Sequence, residues 1–249
     1  ISKIFIWAPR KTLECLIEDK SIIKCYSIIL EFNYIFKFFW QFFFLKINLK
    51  KKQCDVLFVP TGIFYTNFKP VVTMAQNLMP FDKKIVKKHF PYPMFFKMII
   101  QKYLFIKSFN KADKVIFLSN YSKNYINYFL SKFKKDKDKI IIPHAIDSNI
   151  IKYFRNKKIP NTLKKNKEIK ICLLSDINFN KNYKQVLQSI SMVKKKYNIK
   201  FFWIGGKNKI LMNRFNKYKN FLDINKNFII YKGLMKHKKT INFIYNSDI

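Results

Sequence analysis

The sequence predicts an α/β protein built from two Rossmann-like domains, each a doubly wound parallel sheet. Short runs rich in β-branched and aromatic residues alternate with helical patterns along almost the whole chain. The short runs are continuously apolar, as expected for parallel strands that are covered on both faces. Strands that alternate with helices in this way are typical of doubly wound α/β sheets.

Eight stretches have the composition of strands, and six have the apolar period of helices. The predicted strands are residues 3–7, 55–59, 70–74, 114–118, 139–143, 169–174, 200–205 and 227–233. The predicted helices are residues 27–48, 83–109, 122–133, 183–197, 210–221 and 238–246. In sheets of this kind, ligands bind at the carboxyl ends of the strands.

A polar stretch, residues 156–168, contains a proline and has no apolar period, which predicts a linker. It separates a first domain, residues 1–155, from a second, residues 169–249. Two such domains are expected to face each other across a central cleft that holds the ligand. The chain starts without methionine and stops inside an apolar pattern, so we interpret it as an interior piece of a longer protein, with both domains incomplete.

The formal net charge of +36 raises the question of whether the protein binds nucleic acid, because basic surfaces gain affinity by releasing counterions from phosphates. Of the 50 basic residues, only Arg10, Arg155 and Arg214 are arginine, and Asn, Ile and Phe are abundant as well as Lys. The codons of an AT-rich genome produce that combination whatever the protein does. Nucleic-acid binders favour arginine, so we expect no nucleic-acid partner. An anionic membrane surface suits the charge better.

The four cysteines form no C-x-x-C pair, so neither a zinc site nor a redox motif is indicated, and a reducing cytoplasm fits them. Residues 34–47 (YIFKFFWQFFFLKI) are too few for the roughly 20 apolar residues of a membrane span, and Lys37 and Gln41 interrupt them. These two belong to a narrow polar stripe at helical spacing. We therefore expect a mostly buried helix, with a helix lying in the membrane interface as the alternative.

Gly205 and Gly206, two of only four glycines, directly follow an apolar strand, and Lys181 stands between a polar loop and a helix. A cation at a helix N-terminus adds to the positive end of the helix dipole and the free N–H groups, and together they favour phosphate. These residues predict a phosphate-facing crevice. A solvated surface lysine is the alternative for Lys181.

The blocks after the strands resemble, in the same order, those of the nucleotide-sugar glycosyltransferases of group 1 (family 4), which share the GT-B fold. ADKVIFLSNYSKNYI, residues 112–126, resembles the family's AD-x-V-I-x-x-S-x-x-[ST]-K-x-x-I segment, and KIIIPHAID, residues 139–147, resembles its I-P-x-G-[IV]-D loop. LLSDINFNKNYKQVLQSI, residues 173–190, is similar to its phosphate-binding loop and helix. FFWIGG, residues 201–206, is similar to a strand with the pattern L-x-I-[IV]-G, and residues 227–249 to the segment that follows it.

The resemblance implies roles on the donor side. Lys181 matches the lysine that contacts the donor's diphosphate. Gly233 and Leu234 match a turn whose backbone lies against the nucleotide base, where a side chain at the glycine would crowd the ring. Gly205 matches the family's glycine at a strand end. A close approach of the backbone and a plain turn are the two alternatives that would explain a glycine there.

Some positions depart from the family pattern. Asp176 stands where an arginine is common five residues before the lysine, and Ser175 is the candidate hydroxyl donor in its place. Ala145 replaces the usual glycine of the I-P-x-G-[IV]-D loop. The family's paired glutamates, eight positions apart, are expected beyond Ile249, so the catalytic residues stay unknown.

Other positions match the acceptor side of the family. Asn77, Ser119 and His144 correspond to acceptor-side loops, with a purely structural role as the alternative for His144. Gln76 stands where many members have histidine, and it hydrogen-bonds but cannot shuttle protons near neutral pH. Gly62 follows the preceding strand and is assigned to the same cleft.

The resemblance implies a retaining glycosyltransferase that moves a sugar from a nucleoside diphosphate sugar to a glycan or lipid-linked acceptor, in cell-surface polysaccharide biosynthesis. No Asp-x-Asp box marks the donor side, and we expect no metal and no cofactor. The expected location is the cytoplasm, with the inner face of the membrane as a candidate site. The alternatives are a degenerate, inactive glycosyltransferase-like module and a basic nucleic-acid-binding α/β protein.

Overall fold

The computed structural model describes residues 3–16, 18–130, 139–146, 148–155, 168–178, 181–206, 209–222, 224 and 228–248. The chain divides into two compact units, Ile1–His144 and Ala145–Ile249, each with its own hydrophobic core. The predicted linker, apart from Glu168, lies outside the described residues. The predicted domain boundaries therefore stay a prediction.

The strands of the first unit form two parallel sheets. They are β1 (Ile4–Trp7), β2 (Ile22–Cys25), β3 (Leu57–Val59), β4 (Val71–Ala75), β5 (Lys114–Phe117) and β6 (Lys139–Ile141). Strand β1 pairs with β2, and the other four form a sheet in the order β3-β4-β5-β6. Because all pairs are parallel, the carboxyl ends of β3 to β6 lie at one edge of the sheet.

A capping side chain or a proline marks the start of several helices of the first unit. They are α1 (Arg10–Glu14), α2 (Tyr34–Phe39), α3 (Leu45–Lys51), α4 (Lys83–Lys88), α5 (Pro93–Lys111) and α6 (Asn120–Leu130). The Asp82 side chain accepts hydrogen bonds from the first turn of α4, and Asn33 does the same for α2. Helix α5 starts with a proline, whose missing N–H costs nothing at that position.

Within its described residues, the second unit contains one three-stranded parallel sheet and four helices. The strands are β7 (Ile169–Leu174), β8 (Ile199–Ile204) and β9 (Ile229–Gly233), in the order β7-β8-β9. The helices are α7 (Ser148–Arg155), α8 (Tyr183–Lys194), α9 (Lys209–Phe221) and α10 (His237–Tyr245). Trp203, Phe201 and Phe215 are fully buried in its core.

The eight predicted strands are all present, with ends that differ from the prediction by at most two residues. The sequence reading missed β2 and two helices, α1 and α7. The predicted helix over residues 83–109 is two helices, because Pro91 and Pro93 cannot continue α4. Of the predicted helix over residues 122–133, residues 131–133 lie outside the described part.

An aspartate fixes the start of β5 beside β4. The Val71 N–H donates to the Asp113 carboxylate at 2.8 Å, and the Asp113 N–H donates to the Val71 carbonyl at 2.8 Å. Lys69 forms an ion pair with the same carboxylate at 3.5 Å. Asp113, the aspartate of the ADKVIFLS block, therefore fixes the register of β5 relative to β4. It does so at the edge of the sheet opposite to the carboxyl ends of these strands.

The expectation of a mostly buried helix over residues 34–47 is wrong. Helix α2, a π-helical turn (Trp40–Phe44) and α3 form one continuous segment, which we call the aromatic helix. Its buried side chains are Trp40, Leu45 and Leu49, whereas most of its phenylalanines are exposed. The π turn adds one residue and so brings Leu45 onto the same side as Trp40.

The polar stripe, which also includes Glu31, Tyr34 and Asn48, does not lie on one solvent-facing side. Lys37, Gln41 and Asn48 are half-buried, whereas Glu31 and Tyr34 are exposed. The expectation of a mostly buried helix left only a narrow polar side for solvent, and the structure exposes the phenylalanines instead. Within the described residues, no helix is both long enough and apolar enough to cross a membrane.

Candidate functional site

The candidate donor site lies at the carboxyl ends of β7, β8 and β9. Cross-strand pairing ends with Leu174 opposite Ile204, and with Ile204 opposite Gly233. The Ser175 N–H donates to the Ile204 carbonyl at 2.9 Å, and the Gly205 N–H donates to the Gly233 carbonyl at 3.0 Å. Three of the predicted donor-side residues, Ser175, Gly205 and Gly233, are therefore neighbours along this edge.

Three side chains hold the loops at these strand ends together. The Trp203 indole N–H donates to the Ser175 carbonyl at 2.6 Å, and the Tyr231 hydroxyl donates to the Gly205 carbonyl at 2.5 Å. The Asp176 carboxylate accepts a hydrogen bond from the Gly206 N–H. Burial raises the pKa of the Tyr231 phenol, and the negative charge of Asp176 adds to that rise.

Gly205 is required at its position because the backbone of the preceding loop approaches it closely. A Cβ placed on Gly205 would lie 2.3 Å from the Ser175 carbonyl oxygen and 2.9 Å from the Asp176 nitrogen. Both are backbone atoms, which cannot move aside as a flexible side chain can. This supports the interpretation that Gly205 is needed for a close approach of the backbone rather than for a plain turn.

Lys181 is exposed and precedes Asn182, the N-cap residue of helix α8. Its N–H donates to the Asn178 carbonyl at 3.1 Å. Asn182 follows with a left-handed φ of 47°, and its side chain makes no capping hydrogen bond to the first turn of α8. The amino end of α8 therefore presents N–H groups next to a lysine, which is the local chemistry of a phosphate site.

The remaining donor-side residues have different surroundings. The Ser175 hydroxyl is half-buried and donates to the Asp176 carbonyl at 3.1 Å, so a ligand would have to compete with this contact. Gly233 has a φ of 69°, which favours glycine whatever lies against it. Leu234 is 83% exposed, so its side chain takes no part in the core.

The predicted acceptor-side residues all follow strands of the first unit's four-stranded sheet. Gly62 comes after β3, Gln76 and Asn77 follow β4, Ser119 follows β5 and His144 follows β6. Because these strands are parallel, the five residues lie at the same edge of the sheet. The structure brings them to one edge, but their role there stays a prediction.

Two of the acceptor-side residues have clear structural tasks. The Asn77 side chain accepts a hydrogen bond from the Met79 N–H at 3.0 Å and so shapes the turn after β4. The Ser119 hydroxyl accepts a hydrogen bond from the Ser122 N–H at 3.2 Å and caps α6. Gln76 and His144 are exposed, and Gly62 is buried against the Phe105 ring.

Sequence reasoning missed the residues that organise the donor-side loops. Asp176 was noted only as a departure from an arginine, and Trp203 and Tyr231 were read only as apolar strand residues. A signal was present, because a buried tryptophan or tyrosine usually finds a partner for its N–H or O–H group. Among the described residues, no cluster of three His, Cys, Asp or Glu side chains could hold a metal ion.

Replacing Asp176 with alanine should lower the free energy of unfolding by about 0.5–1.5 kcal/mol, because it removes the acceptor of the Gly206 N–H. Asp176→Asn keeps an oxygen at that place and should retain most of the stability. Denaturant unfolding of both variants measures the difference. Equal losses in the two variants would contradict the hydrogen-bond explanation.

No protein-family model and no curated protein sequence matches the chain. Solved structures do match it. A glycosyltransferase from Rickettsia africae ESF-5 superposes with a TM-score of 0.55 at 14% identity, over 98% of this chain and 63% of that protein. Anabaena Alr3699/HepE, solved in complex with UDP and glucose, superposes with a TM-score of 0.53 at 12% identity, over 91% of this chain and 59% of that protein.

This likeness shows the fold, and it confirms the α/β fold class predicted from the sequence. The two units have the parallel-sheet, Rossmann-like architecture of GT-B glycosyltransferases. The chain spans less than two thirds of the length of either protein, and about half of the length of other matching structures.

Proposed function

We propose that the protein is a glycosyltransferase of the group 1 (family 4) type, which transfers a sugar from a nucleoside diphosphate sugar to a glycan or lipid-linked acceptor. The observation that carries the proposal is the position of Lys181. It is exposed beside the amino end of α8, whose N-cap residue Asn182 makes no side-chain capping hydrogen bond, and it follows Ser175 and Asp176, which hydrogen-bond with Ile204 and Gly206. Backbone N–H groups at a helix N-terminus and an accessible cation favour phosphate binding.

The chemistry proposed for this site is electrostatic. The Lys181 ammonium and the first N–H groups of α8 would stabilise the negative charge that develops on the departing diphosphate. Ser175 would add a hydroxyl donor, and the backbone at Gly233 and Leu234 would lie against the nucleotide base. Transfer with retention of configuration, in cell-surface polysaccharide biosynthesis, completes the proposal.

The acceptor would bind at the carboxyl edge of the first unit's sheet. Gln76 and His144 are the candidates to contact it, because both are exposed at that edge. Asn77 and Ser119 would act mainly by shaping the loops around it, as their hydrogen bonds to Met79 and Ser122 suggest. We place the enzyme in the cytoplasm, at the inner face of the membrane, where a lipid-linked acceptor would be reached.

The test is isothermal titration of the full-length protein with UDP, GDP and ADP and with sugar conjugates of the base that binds. Transfer of labelled sugar to lipid-linked and free glycan acceptors follows, and NMR of the product gives its anomeric configuration. The proposal expects one nucleotide to bind and its sugar to be transferred. Binding without transfer would favour the inactive module, and no binding to any nucleotide would contradict the proposed site.

A further inference from the structure

The aromatic helix exposes a continuous row of large apolar side chains. Phe39, Phe42 and Phe43 are 47%, 50% and 53% exposed. Their rings associate with one another: Phe39 stacks on Phe43 at 6.1 Å between centroids, and Phe42 meets Phe43 edge-on at 4.9 Å. Phe38 stacks on Phe42 in the same way at 6.0 Å. The exposed rings thus form one patch rather than scattered residues.

The helix that carries this patch is firmly attached to the first unit. Trp40, Leu45 and Leu49 on its opposite side belong to the main core and are at most 5% exposed. Phe38 also packs edge-on against Tyr65 at 4.6 Å. The orientation of the helix is therefore fixed by its buried side, and the outward direction of the phenylalanines is a consequence of that packing.

A second apolar stripe lies on the neighbouring helix α5. Phe96, Ile99, Ile100 and Tyr103 are exposed and recur at helical spacing. The Lys97 ammonium lies 5.2 Å from the centre of the Tyr34 ring, so α5 and the start of the aromatic helix are adjacent. We call the exposed apolar side chains of these two helices the aromatic face.

The helix segments that carry or precede the aromatic face are rich in lysine. The aromatic helix carries Lys46 and ends at Lys50, Lys51 and Lys52, and α4, which leads into α5, contributes Lys83, Lys84, Lys87 and Lys88. Asp82 and Glu31 are the nearby carboxylates in these chain segments. Asp82 caps α4, and Glu31 accepts a hydrogen bond from the Arg10 N–H. These segments are therefore strongly positive.

We propose that the aromatic face binds the surface of a bilayer that contains anionic lipids, with the aromatic helix lying in the plane of the interface. Aromatic rings on one side of a helix and lysines around it are the features of interfacial membrane helices. Each lysine near an anionic surface adds to the attraction. A second copy of the chain is a poor occupant, because each copy carries a formal net charge of +36 and would repel the other.

This inference goes beyond the donor site, since vesicle binding requires neither a donor nor transfer. It would explain how an enzyme acting on a lipid-linked acceptor is held near its substrate. Phe39, Phe42 and Phe43 would enter the boundary between headgroups and acyl chains, and the lysines of these helix segments would contact lipid phosphates. Failure of either proposal therefore leaves the other standing.

The experiment is co-sedimentation of the full-length protein with vesicles of phosphatidylcholine alone or with about 30% phosphatidylglycerol. The test variant is the triple change Phe39→Ser, Phe42→Ser and Phe43→Ser. Its matched control is Ile151→Ser, Met192→Ser and Phe221→Ser, three exposed apolar residues on helices of the second unit. Circular dichroism and the unfolding midpoint verify that both variants fold.

The wild type should bind the anionic vesicles and bind them less at high salt. The partition coefficient of the test variant for anionic vesicles should be lower than that of the wild type by a factor of about ten or more. The partition coefficient of the control should stay within about two-fold of the wild-type value. As a second measurement, a Phe43→Trp variant should show additional fluorescence quenching by lipids brominated in the acyl chains.

Three outcomes would overturn the proposal. The first is a wild type that binds neither kind of vesicle. The second is a test variant that binds as tightly as the wild type, with no added quenching in Phe43→Trp, which would mean that the lysines act alone. The third is a wild type that is dimeric in light scattering, a test variant that is monomeric, and no vesicle binding by either protein. That result would assign the aromatic face to contact with a second copy.

Discussion

Replacing Lys181 with alanine should weaken binding of the nucleoside diphosphate sugar by about 1.5–3 kcal/mol, the scale of a hydrogen bond to a charged group. This corresponds to roughly a 10- to 150-fold higher dissociation constant. The change removes an exposed cation at the amino end of α8 and leaves the buried residues of that helix in place. The unfolding free energy should therefore hardly change, and titration calorimetry gives the affinity directly.

The matched control for this prediction is Lys196→Ala. Lys196 is also exposed but follows the carboxyl end of α8, so its removal changes the net charge equally without touching the proposed phosphate site. Its donor affinity should equal that of the wild type. If Lys181→Ala and Lys196→Ala bind the donor alike, Lys181 is an ordinary surface lysine and its assignment is wrong.

Gly205→Ala should destabilise the second unit by about 1–3 kcal/mol, as overpacking against atoms that cannot yield does. The new Cβ would lie 2.3 Å from the Ser175 carbonyl oxygen, which also accepts the hydrogen bond from Trp203. Relief of the clash requires the loop after β7 to move away from β8. Donor affinity should fall together with stability, because that loop leads to Lys181.

Gly206→Ala provides the comparison. Its Cβ would meet the Asp176 carboxylate at 2.8 Å, the end of a side chain that can rotate away. We expect a smaller loss of stability than for Gly205→Ala, measured by denaturant unfolding under the same conditions. A Gly205→Ala protein as stable as the wild type would show that the loop after β7 does not lie as close to Gly205 as the 2.3 Å distance implies.

The sheets were predictable because parallel strands have a simple signature. Strands such as Ile199–Ile204 are apolar at nearly every position, since helices cover both faces, and such runs stand out even in a chain this rich in apolar residues. The caps of α4 and α6, Asp82 and Ser119, were not predicted, and the predicted start of α6 is two residues late. Strand β2 was missed because its four residues include Lys24 and Cys25 and have no such run.

The aromatic helix could not be predicted correctly from periodicity. A regular helical period assigns one side to the core, but the π turn over Trp40–Phe44 shifts the phase partway along the segment. Composition misled as well, because phenylalanines are normally assigned to the core. The side that packs is decided by Trp40, Leu45 and Leu49, and only the structure identifies them.

For the candidate site, the sequence predicted positions better than roles. Ser175, Gly205 and Gly233 do lie together, because strands in a parallel sheet end at a common edge. The hydrogen bonds of Asp176 and Tyr231 depend on how two loops meet, and no spacing within one segment encodes that. The functions of these residues stay predictions for the experiments above.

The hydrogen bonds that join the ends of β7, β8 and β9 include backbone pairs as well as contacts from the side chains of Trp203, Tyr231 and Asp176. The side chains of Ser175 and Leu234 contribute none of these contacts between the strand ends. Ser175 and Leu234 can be randomised without dismantling those contacts. If the protein is the glycosyltransferase proposed above, a library at these two positions is a practical starting point for directed evolution of its donor preference on an unchanged scaffold.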